Sequence, residues 1–346
     1  MSSPSETWLE VRRYLVSNRY RLGTEAAHDF PAASRVAGTP LLAPASWIPP
    51  EPIPLMSVQL EFDPDAVFSG VTGVVPGPYE TYAEAMAALA PPAVFENRPT
   101  YRLLSADLAG PRPVLRLGRG TYFDSINTGE AAAHEYAARR LGHADPATVR
   151  TAIGDPWDPT RRPTNVAIST LTIRRDVSSG ESTFYLHWRD PAKVAHAAGL
   201  YQVVPSGIFQ PSTDELNDFS LWRNIIRELS EELLGASETY NGPIDYTTWP
   251  LAAHLTTALA DGTARAYCVG LGVDPLTFAT DLLTVLSIDS DLFDTLFGDV
   301  VATNTEGHVL TPQPLTPETL NTYIHHKPLQ SAGAALLQLT LNHRLT

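Results

Sequence analysis

The segment that most restricts how this chain can fold is residues 221–234, LWRNIIRELSEELL. Its apolar side chains recur at spacings of three and four residues, which predicts an amphipathic helix that buries one face in a core. These apolar residues are Trp222, Ile225, Ile226, Leu229 and Leu233. Glu228, Glu231 and Glu232 follow the same spacing on an adjacent face, so their carboxylates lie side by side.

Carboxylates arranged in this way repel one another, and two interpretations explain their presence. In the first, the acidic face is simply solvated. In the second, it holds a divalent cation, because Mg²⁺ and Mn²⁺ prefer carboxylate oxygens as ligands. The helical spacing alone does not decide between them, so the surrounding sequence has to.

The segments on either side of this helix predict an α+β domain built on a mixed sheet. Strands are predicted where apolar and polar residues alternate, and a turn at Gly180 joins the first two into a hairpin. The third strand runs into a loop rich in Gly and Pro that leads to the helix. The predicted strands are 165–176, 182–190, 200–211 and 266–274, and the later helices are 291–297 and 329–343.

The N-terminal part of the chain predicts a smaller α/β accessory domain. Its first helix carries Trp8, Val11 and Leu15 on one face, with Ser5 as the N-cap. Further helices are predicted over 79–90 and 128–142, strands over 57–62, 100–108 and 113–123, and an irregular Pro- and Ala-rich stretch over 31–56. Residues 154–163, GDPWDPTRRP, hold three prolines without apolar periodicity. We therefore predict an accessory domain of residues 1–158 and a second domain of residues 159–346.

The charge of the chain excludes several classes of partner. It has 24 Lys and Arg against 38 Asp and Glu, a formal net charge of -14, and residues 200–346 hold 17 acidic but only five basic residues. A negative surface argues against a nucleic-acid or anionic-membrane binder. The single cysteine, Cys268, excludes a disulfide framework and a cysteine-based zinc site. The chain has no long apolar run and no secretory signal at its start, so we expect a cytoplasmic protein.

A short motif gives the acidic helix a specific context. Arg227-Glu228-Leu229-Ser230-Glu231-Glu232 matches R-E-U-x-E-E, the centre of the Nudix box G-x5-E-x7-R-E-U-x-E-E-x-G-U. The motif follows a hairpin, a strand and a Gly loop, and a later strand and a final helix come after it. The chain therefore resembles the Nudix hydrolase superfamily over residues 160–346. This resemblance implies a Nudix-like mixed β-sheet sandwiched by helices.

The loop before the helix departs from the Nudix pattern. The family spacing places its glycine at Thr213 and its first glutamate at Phe219. The nearest substitutes are Gly207 for the glycine and Glu215 for the glutamate, with Asp214 and Asp218 as rivals of Glu215. The closing glycine, Gly235, is one residue late. The helix half of the box is thus intact, whereas the loop half is longer and altered.

The resemblance implies a metal-dependent hydrolase of a nucleoside diphosphate derivative or another organic diphosphate, in which water attacks phosphorus. It assigns the binding of Mg²⁺ or Mn²⁺ to Glu228, Glu231, Glu232 and the backbone carbonyl of Gly207. Glu228, or a carboxylate from elsewhere, takes the proton of the attacking water, and Glu231 belongs to the same catalytic group. Arg227 orients the glutamates, although residue spacing equally allows a surface ion pair between Arg227 and Glu231.

An acidic domain repels an anionic substrate, so local arginines must offset its field. The nearest in sequence are Arg174, Arg175 and Arg189 on the predicted hairpin strands. We assign substrate binding to Arg174, Arg189 and Glu215. The expected partner is a small-molecule diphosphate, and neither nucleic acid nor a membrane.

Two other functions stay open at this point. The altered loop favours a catalytically weak or inactive Nudix-like protein that senses a nucleotide or sugar nucleotide and reports through the N-terminal domain. The complete set of three glutamates favours the enzyme. In a third interpretation, residues 1–150 mediate assembly into a homodimer. A fold alone does not choose among these functions.

Overall fold

The computed structural model of the chain describes residues 3–68, 73, 75–92, 95–143, 148–190, 199–237, 242–298, 300–301, 303 and 307–345. Its helices are α1 (Pro4–Ala26), α2 (Tyr82–Leu89), α3 (Tyr122–Ser125), α4 (Ala131–Arg140), α5 (Thr148–Ile153), α6 (Leu221–Leu234), α7 (Pro250–Asp261), α8 (Ser290–Phe297), α9 (Pro317–His326) and α10 (Ser331–His343). Its strands are β1 (Ile53–Pro54), β2 (Gln59–Phe62), β3 (Pro99–Asp107), β4 (Val114–Thr121), β5 (Val166–Arg175), β6 (Ser182–Phe184), β7 (Leu186–Arg189), β8 (Tyr201–Val203), β9 (Ser206–Ile208), β10 (Ala264–Val273), β11 (Thr280–Asp289), β12 (Gly307–Val309) and β13 (Gln313–Pro314).

A mixed sheet of seven strands occupies the centre of the C-terminal part. Its order is β1-β10-β11-β5-β6-β13, and β9 pairs with the other end of β5. Strands β5 and β11 are parallel, with Val166 opposite Thr280, and the other pairs in this sheet are antiparallel. Gly207 of β9 lies opposite Ile168 of β5. This pairing brings the strand that enters the altered loop beside the first residues of β5, a central strand of the sheet.

Two smaller sheets complete the strand pairing of the described residues. In the N-terminal part β2, β4 and β3 form one sheet, in which β3 and β4, both predicted as strands, pair antiparallel. The second small sheet has the order β12-β7-β8. Helices α6, α7, α8 and α10 pack against the strands of the central sheet. The predicted α+β class, with mixed sheets flanked by helices, is confirmed.

One apolar core extends across the boundary predicted between residues 158 and 159. The Tyr101 ring of β3 packs against Phe209, with ring centroids 4.4 Å apart, and both residues belong to the same buried cluster as Leu229 of α6. Tyr101 also donates its backbone N–H to the Phe209 carbonyl at 2.9 Å. The division into two domains stays a prediction, but the two parts share a core.

Helix α6 has the bounds predicted from its periodicity, whereas other elements differ from the sequence patterns. Those patterns predict no strand over residues 280–289, yet β11 lies next to β5 and is buried over all but its last residue. A strand buried on both faces lacks the alternation that reveals a half-exposed strand. The predicted strand 200–211 is in fact two strands, β8 and β9, which belong to different sheets.

The N-cap predicted for the first helix is wrong by two residues. Ser3, and not Ser5, accepts the Glu6 N–H, and the Glu6 carboxylate accepts the Ser3 N–H in return. Pro4 takes the first helical position, where its missing N–H has no consequence. The buried face of Trp8, Val11 and Leu15 is as predicted.

Candidate functional site

Helix α6 places its glutamates beside the strand that enters the altered loop. The Ser220 side chain accepts the Arg223 N–H at its start, and Gly235 closes it in the left-handed conformation at a φ of 69°. Its apolar residues Ile225, Ile226 and Leu229 are at most 1% exposed. Because that face packs toward β5 and β9, the adjacent acidic face reaches the end of the central sheet.

A cavity of about 260 Å³ lies at this end of the sheet. Glu228, Glu231 and Gly207 line one part of it. The N-terminal part of the chain supplies another wall, which includes Tyr122 and residues of a π-helical turn, Ile126–Glu130. Turns of this kind occur often at functional sites. The cavity is therefore built from both parts of the chain.

The Glu228 carboxylate lies directly against the α-carbon of Gly207. A Cβ atom added at Gly207 would come within 2.1 Å of Cδ and Oε2 of Glu228. Gly207 does not have a positive φ, so its need for glycine comes from this close approach and not from its backbone conformation. The structure thus brings together two of the predicted site residues, Gly207 and Glu228, and Glu231 lines the same cavity.

Glu232 occupies a different environment from the other two glutamates. It is 4% exposed, it accepts the Ser206 N–H at 2.6 Å, and it lies 3.3 Å from Nδ1 of His187. These contacts tie α6 to β9 and β7. Glu232 is not among the described residues that line the cavity, and within the described part of the chain no three His, Cys, Asp or Glu side chains are grouped to hold a metal ion. The assignment of three glutamate ligands stays a prediction.

Arg227 holds the altered loop. Its guanidinium lies 3.0 Å from Oδ1 of Asp218, and it donates to the Tyr246 hydroxyl at 3.0 Å and to the Gln210 carbonyl at 2.6 Å. It is 3% exposed, and none of its hydrogen-bond or ion-pair partners among the described residues is Glu231. The surface ion pair with Glu231 is therefore wrong, because the fold turns this side chain inward.

Asp218 is the acidic partner in this loop. Its Oδ2 accepts the Ser212 N–H and hydroxyl, both at 2.8 Å, and its Oδ1 accepts the Tyr246 hydroxyl at 2.7 Å. Burial by itself raises the pKa of Asp218, but these hydrogen bonds and the charge of Arg227 lower it overall. Asp218 is fully buried and does not line the cavity. Its hydrogen bonds and its ion pair with Arg227 therefore stabilise the conformation of the loop from the buried side.

The three residues assigned to substrate binding lie in different places. Arg189 of β7 lines the cavity and is 9% exposed. Arg174 forms a two-point ion pair with Asp294, at 2.7 and 2.5 Å. Glu215 forms one with Arg119, both at 2.7 Å. Arg174 and Glu215 are not among the described cavity-lining residues, so the structure brings only Arg189 to the glutamates.

Two further arginines on the cavity wall were missed from the sequence. Arg98 lies next to Glu96, with 3.0 Å between Nε and Oε2, and both line the cavity. Arg162 is 3% exposed and lines it as well. Arg162 stands in the proline-rich stretch that predicts a solvated boundary, and no local signal distinguishes a solvated from a buried turn of this composition.

No family model matches the chain, and no curated protein matches it. Among the described residues, no helix is long and apolar enough to cross a membrane.

Proposed function

We propose that this protein is a Nudix-like hydrolase that cleaves an organic diphosphate, such as a nucleoside diphosphate derivative, with the help of a divalent cation. The observation that carries the proposal is the shared cavity: Glu228, Glu231, Gly207 and Arg189 line the same space. The resemblance of the α6 motif to the Nudix box supports the same function, and it depends on residue order alone and not on this geometry.

The oxygen donors at the cavity fit a hard divalent cation held by two glutamates. Mg²⁺ commonly binds one or two carboxylates and keeps several waters or substrate phosphates as its remaining ligands. Glu228 and Glu231 supply such carboxylates, and the Gly207 backbone lies against one of them. A bound cation would polarise the diphosphate and make water a better nucleophile.

The chain's own side chains supply the remaining parts of the proposed reaction. Glu228 accepts the proton of the attacking water, since its carboxylate lines the cavity beside Gly207. Arg189 binds phosphate oxygens through its planar guanidinium. Three arginines place positive charge on the cavity wall, namely Arg189, Arg98 and Arg162. This charge lowers the repulsion between an anionic substrate and the acidic domain.

A ligand-sensing protein with little turnover is the second candidate. The burial of Glu232 against Ser206 and His187 favours it, because this glutamate is a metal ligand in the family pattern. In either case residues 1–150 contribute side chains to the cavity wall. This contribution supports a role in ligand binding for the N-terminal part beyond dimerisation alone.

Phosphate release from a panel of organic diphosphates, with Mg²⁺ or Mn²⁺, tests the proposal. Glu228→Gln and Glu231→Gln are expected to lower turnover about 100-fold or more, because each removes a charged oxygen from the cavity. Glu181→Gln is the matched control, since Glu181 is exposed in the turn before β6. If the wild type turns over none of the substrates, the proposal that the protein is a hydrolase is wrong. Saturable nucleotide binding that survives both site substitutions would then support the sensor.

A further inference from the structure

Arg162 is a buried cation at the cavity wall, and it has no acidic partner among the described residues. It is 3% exposed, and no carboxylate of the described residues forms an ion pair with it. Removing a charge from water is costly unless an opposite charge or hydrogen bonds replace the water. Burial lowers the pKa of Arg162 to about 9, so at neutral pH the side chain is still a cation.

The guanidinium of Arg162 is held in place by two hydrogen bonds. Nε donates to the Pro156 carbonyl at 2.9 Å, and Nη2 donates to the Thr280 hydroxyl at 2.8 Å. Its Nη1 group makes no hydrogen bond with any of the described residues. The Nη1 group of this fixed, planar fork is therefore left for a ligand, and an oxygen of a carboxylate or phosphate can accept a charge-assisted hydrogen bond from it.

The strand register places this fork away from the glutamates. Thr280, which binds Arg162, lies opposite Val166, and Gly207 lies opposite Ile168, on strands at either side of β5. The α-carbons of Thr280 and Gly207 are therefore offset by two residues along the strands and by two strand spacings across the sheet. This offset corresponds to a distance of about 12 Å. The guanidinium is thus anchored on the strand at one side of β5, whereas Gly207 and the glutamate beside it lie at the other side.

We infer that Arg162 forms a second oxyanion subsite, and that the ligand is an organic diphosphate whose remote end carries a further carboxylate or phosphate group. The diphosphate end of this ligand rests on the proposed function, whereas the subsite at Arg162 does not. A remote anion there supplies the negative charge that none of the described residues places in an ion pair with Arg162.

Calorimetric titration with inorganic phosphate and with acetate, in the presence of a metal chelator, tests the subsite. The tighter-binding probe identifies which oxyanion the subsite prefers. Arg162→Gln is expected to weaken its binding about 10- to 100-fold, because a charged hydrogen-bond donor is lost. Arg162→Lys is expected to weaken it less, since the charge stays but the fork is lost. Arg116→Gln is the matched control, since Arg116 is exposed and pairs with Asp63 at 2.6 Å.

Crystals soaked in selenate give a second measurement that does not depend on a variant's folding. Anomalous signal within hydrogen-bonding distance of Arg162 Nη1 is expected. Equal affinities of Arg162→Gln and Arg116→Gln, or selenate elsewhere in the cavity but not at Arg162, would overturn the subsite. Because the chelator removes divalent cations, the result is independent of hydrolysis. An active enzyme without an anion at Arg162 refutes the subsite alone, and an anion at Arg162 in an inactive protein refutes the hydrolase alone.

Discussion

The contact between Gly207 and Glu228 leads to a prediction that separates function from stability. In Gly207→Ala, the new Cβ would lie 2.1 Å from Cδ of Glu228, and ordinary contacts begin at 3.4 Å, so the carboxylate must move by about 1.3 Å. Misplacing a catalytic group by about 1 Å can lower the rate about 100-fold. We therefore expect turnover to fall by about two orders of magnitude, and divalent-cation affinity to fall with it.

The same substitution should leave the fold almost unchanged. The carboxylate is the end of a flexible side chain, and Gly207 has no positive φ, so the free energy of unfolding should change by less than about 1 kcal/mol. Turnover, Mn²⁺ binding by electron paramagnetic resonance and urea unfolding measure the three quantities. Gly23→Ala in α1 is the control, because its Cβ meets no atom within 4 Å and it should leave turnover as it is.

Two results would refute this reasoning. Turnover and Mn²⁺ affinity equal to those of Gly23→Ala would show that the position of the Glu228 carboxylate is irrelevant. A loss of several kcal/mol in the free energy of unfolding would show that the carboxylate cannot move aside. Either result would contradict the local role of Gly207.

Two further predictions concern stability. His134 is 9% exposed, and burial, together with the charge of Arg12, lowers its pKa to about 3, against the opposing charge of Glu130. Between pH 6.5 and 3 the His134 imidazole is therefore protonated in the unfolded chain but neutral in the folded one. For this reason the free energy of unfolding of the wild type should fall by about 2 kcal/mol from pH 7 to pH 5. Urea unfolding should show a smaller loss for His134→Gln, and equal losses would count against the assignment. Asp218→Asn should destabilise the protein by about 3 kcal/mol at pH 7, because it leaves the buried Arg227 without its ion-pair partner. Since the folded pKa of Asp218 is lowered, its contribution is present above pH 3.8 and disappears as the pH falls further, so the variant's unfolding free energy should depend less on pH in that range. A change within about 0.5 kcal/mol, as for a surface substitution, would contradict the role of this pair.

Local patterns in the sequence were sufficient to predict α6 and the strands β3 and β4. The periodicity of residues 221–234 predicts both the bounds of α6 and its buried face, because each turn of a helix is set by residues three and four apart. Strand β11 had no such pattern, since it is buried on both faces at the centre of the sheet. Elements that depend on distant partners are the ones that local patterns miss.

The arginines show the same limit at the site. Arg174, Arg175 and Arg189 are alike in sequence, but Arg174 pairs with Asp294 and Arg175 with Asp289, partners more than 110 residues away. Arg189 instead lines the cavity, and so does Arg162 from a stretch predicted to be a boundary. Which arginine lines the cavity is decided by the tertiary structure and not by the neighbours of that arginine in the sequence.

The sequence by itself determined that three glutamates share one helix face next to a strand and a glycine loop, because helical spacing is a local property. Only the tertiary structure decided that Glu228 and Glu231 line a cavity while Glu232 accepts the Ser206 N–H. It also decided that the Glu228 carboxylate lies against Gly207, where a larger residue would collide with it. The N-terminal part of the chain forms one wall of the same cavity. The physical reason is that burial and charge pairing depend on residues brought together from distant parts of the chain.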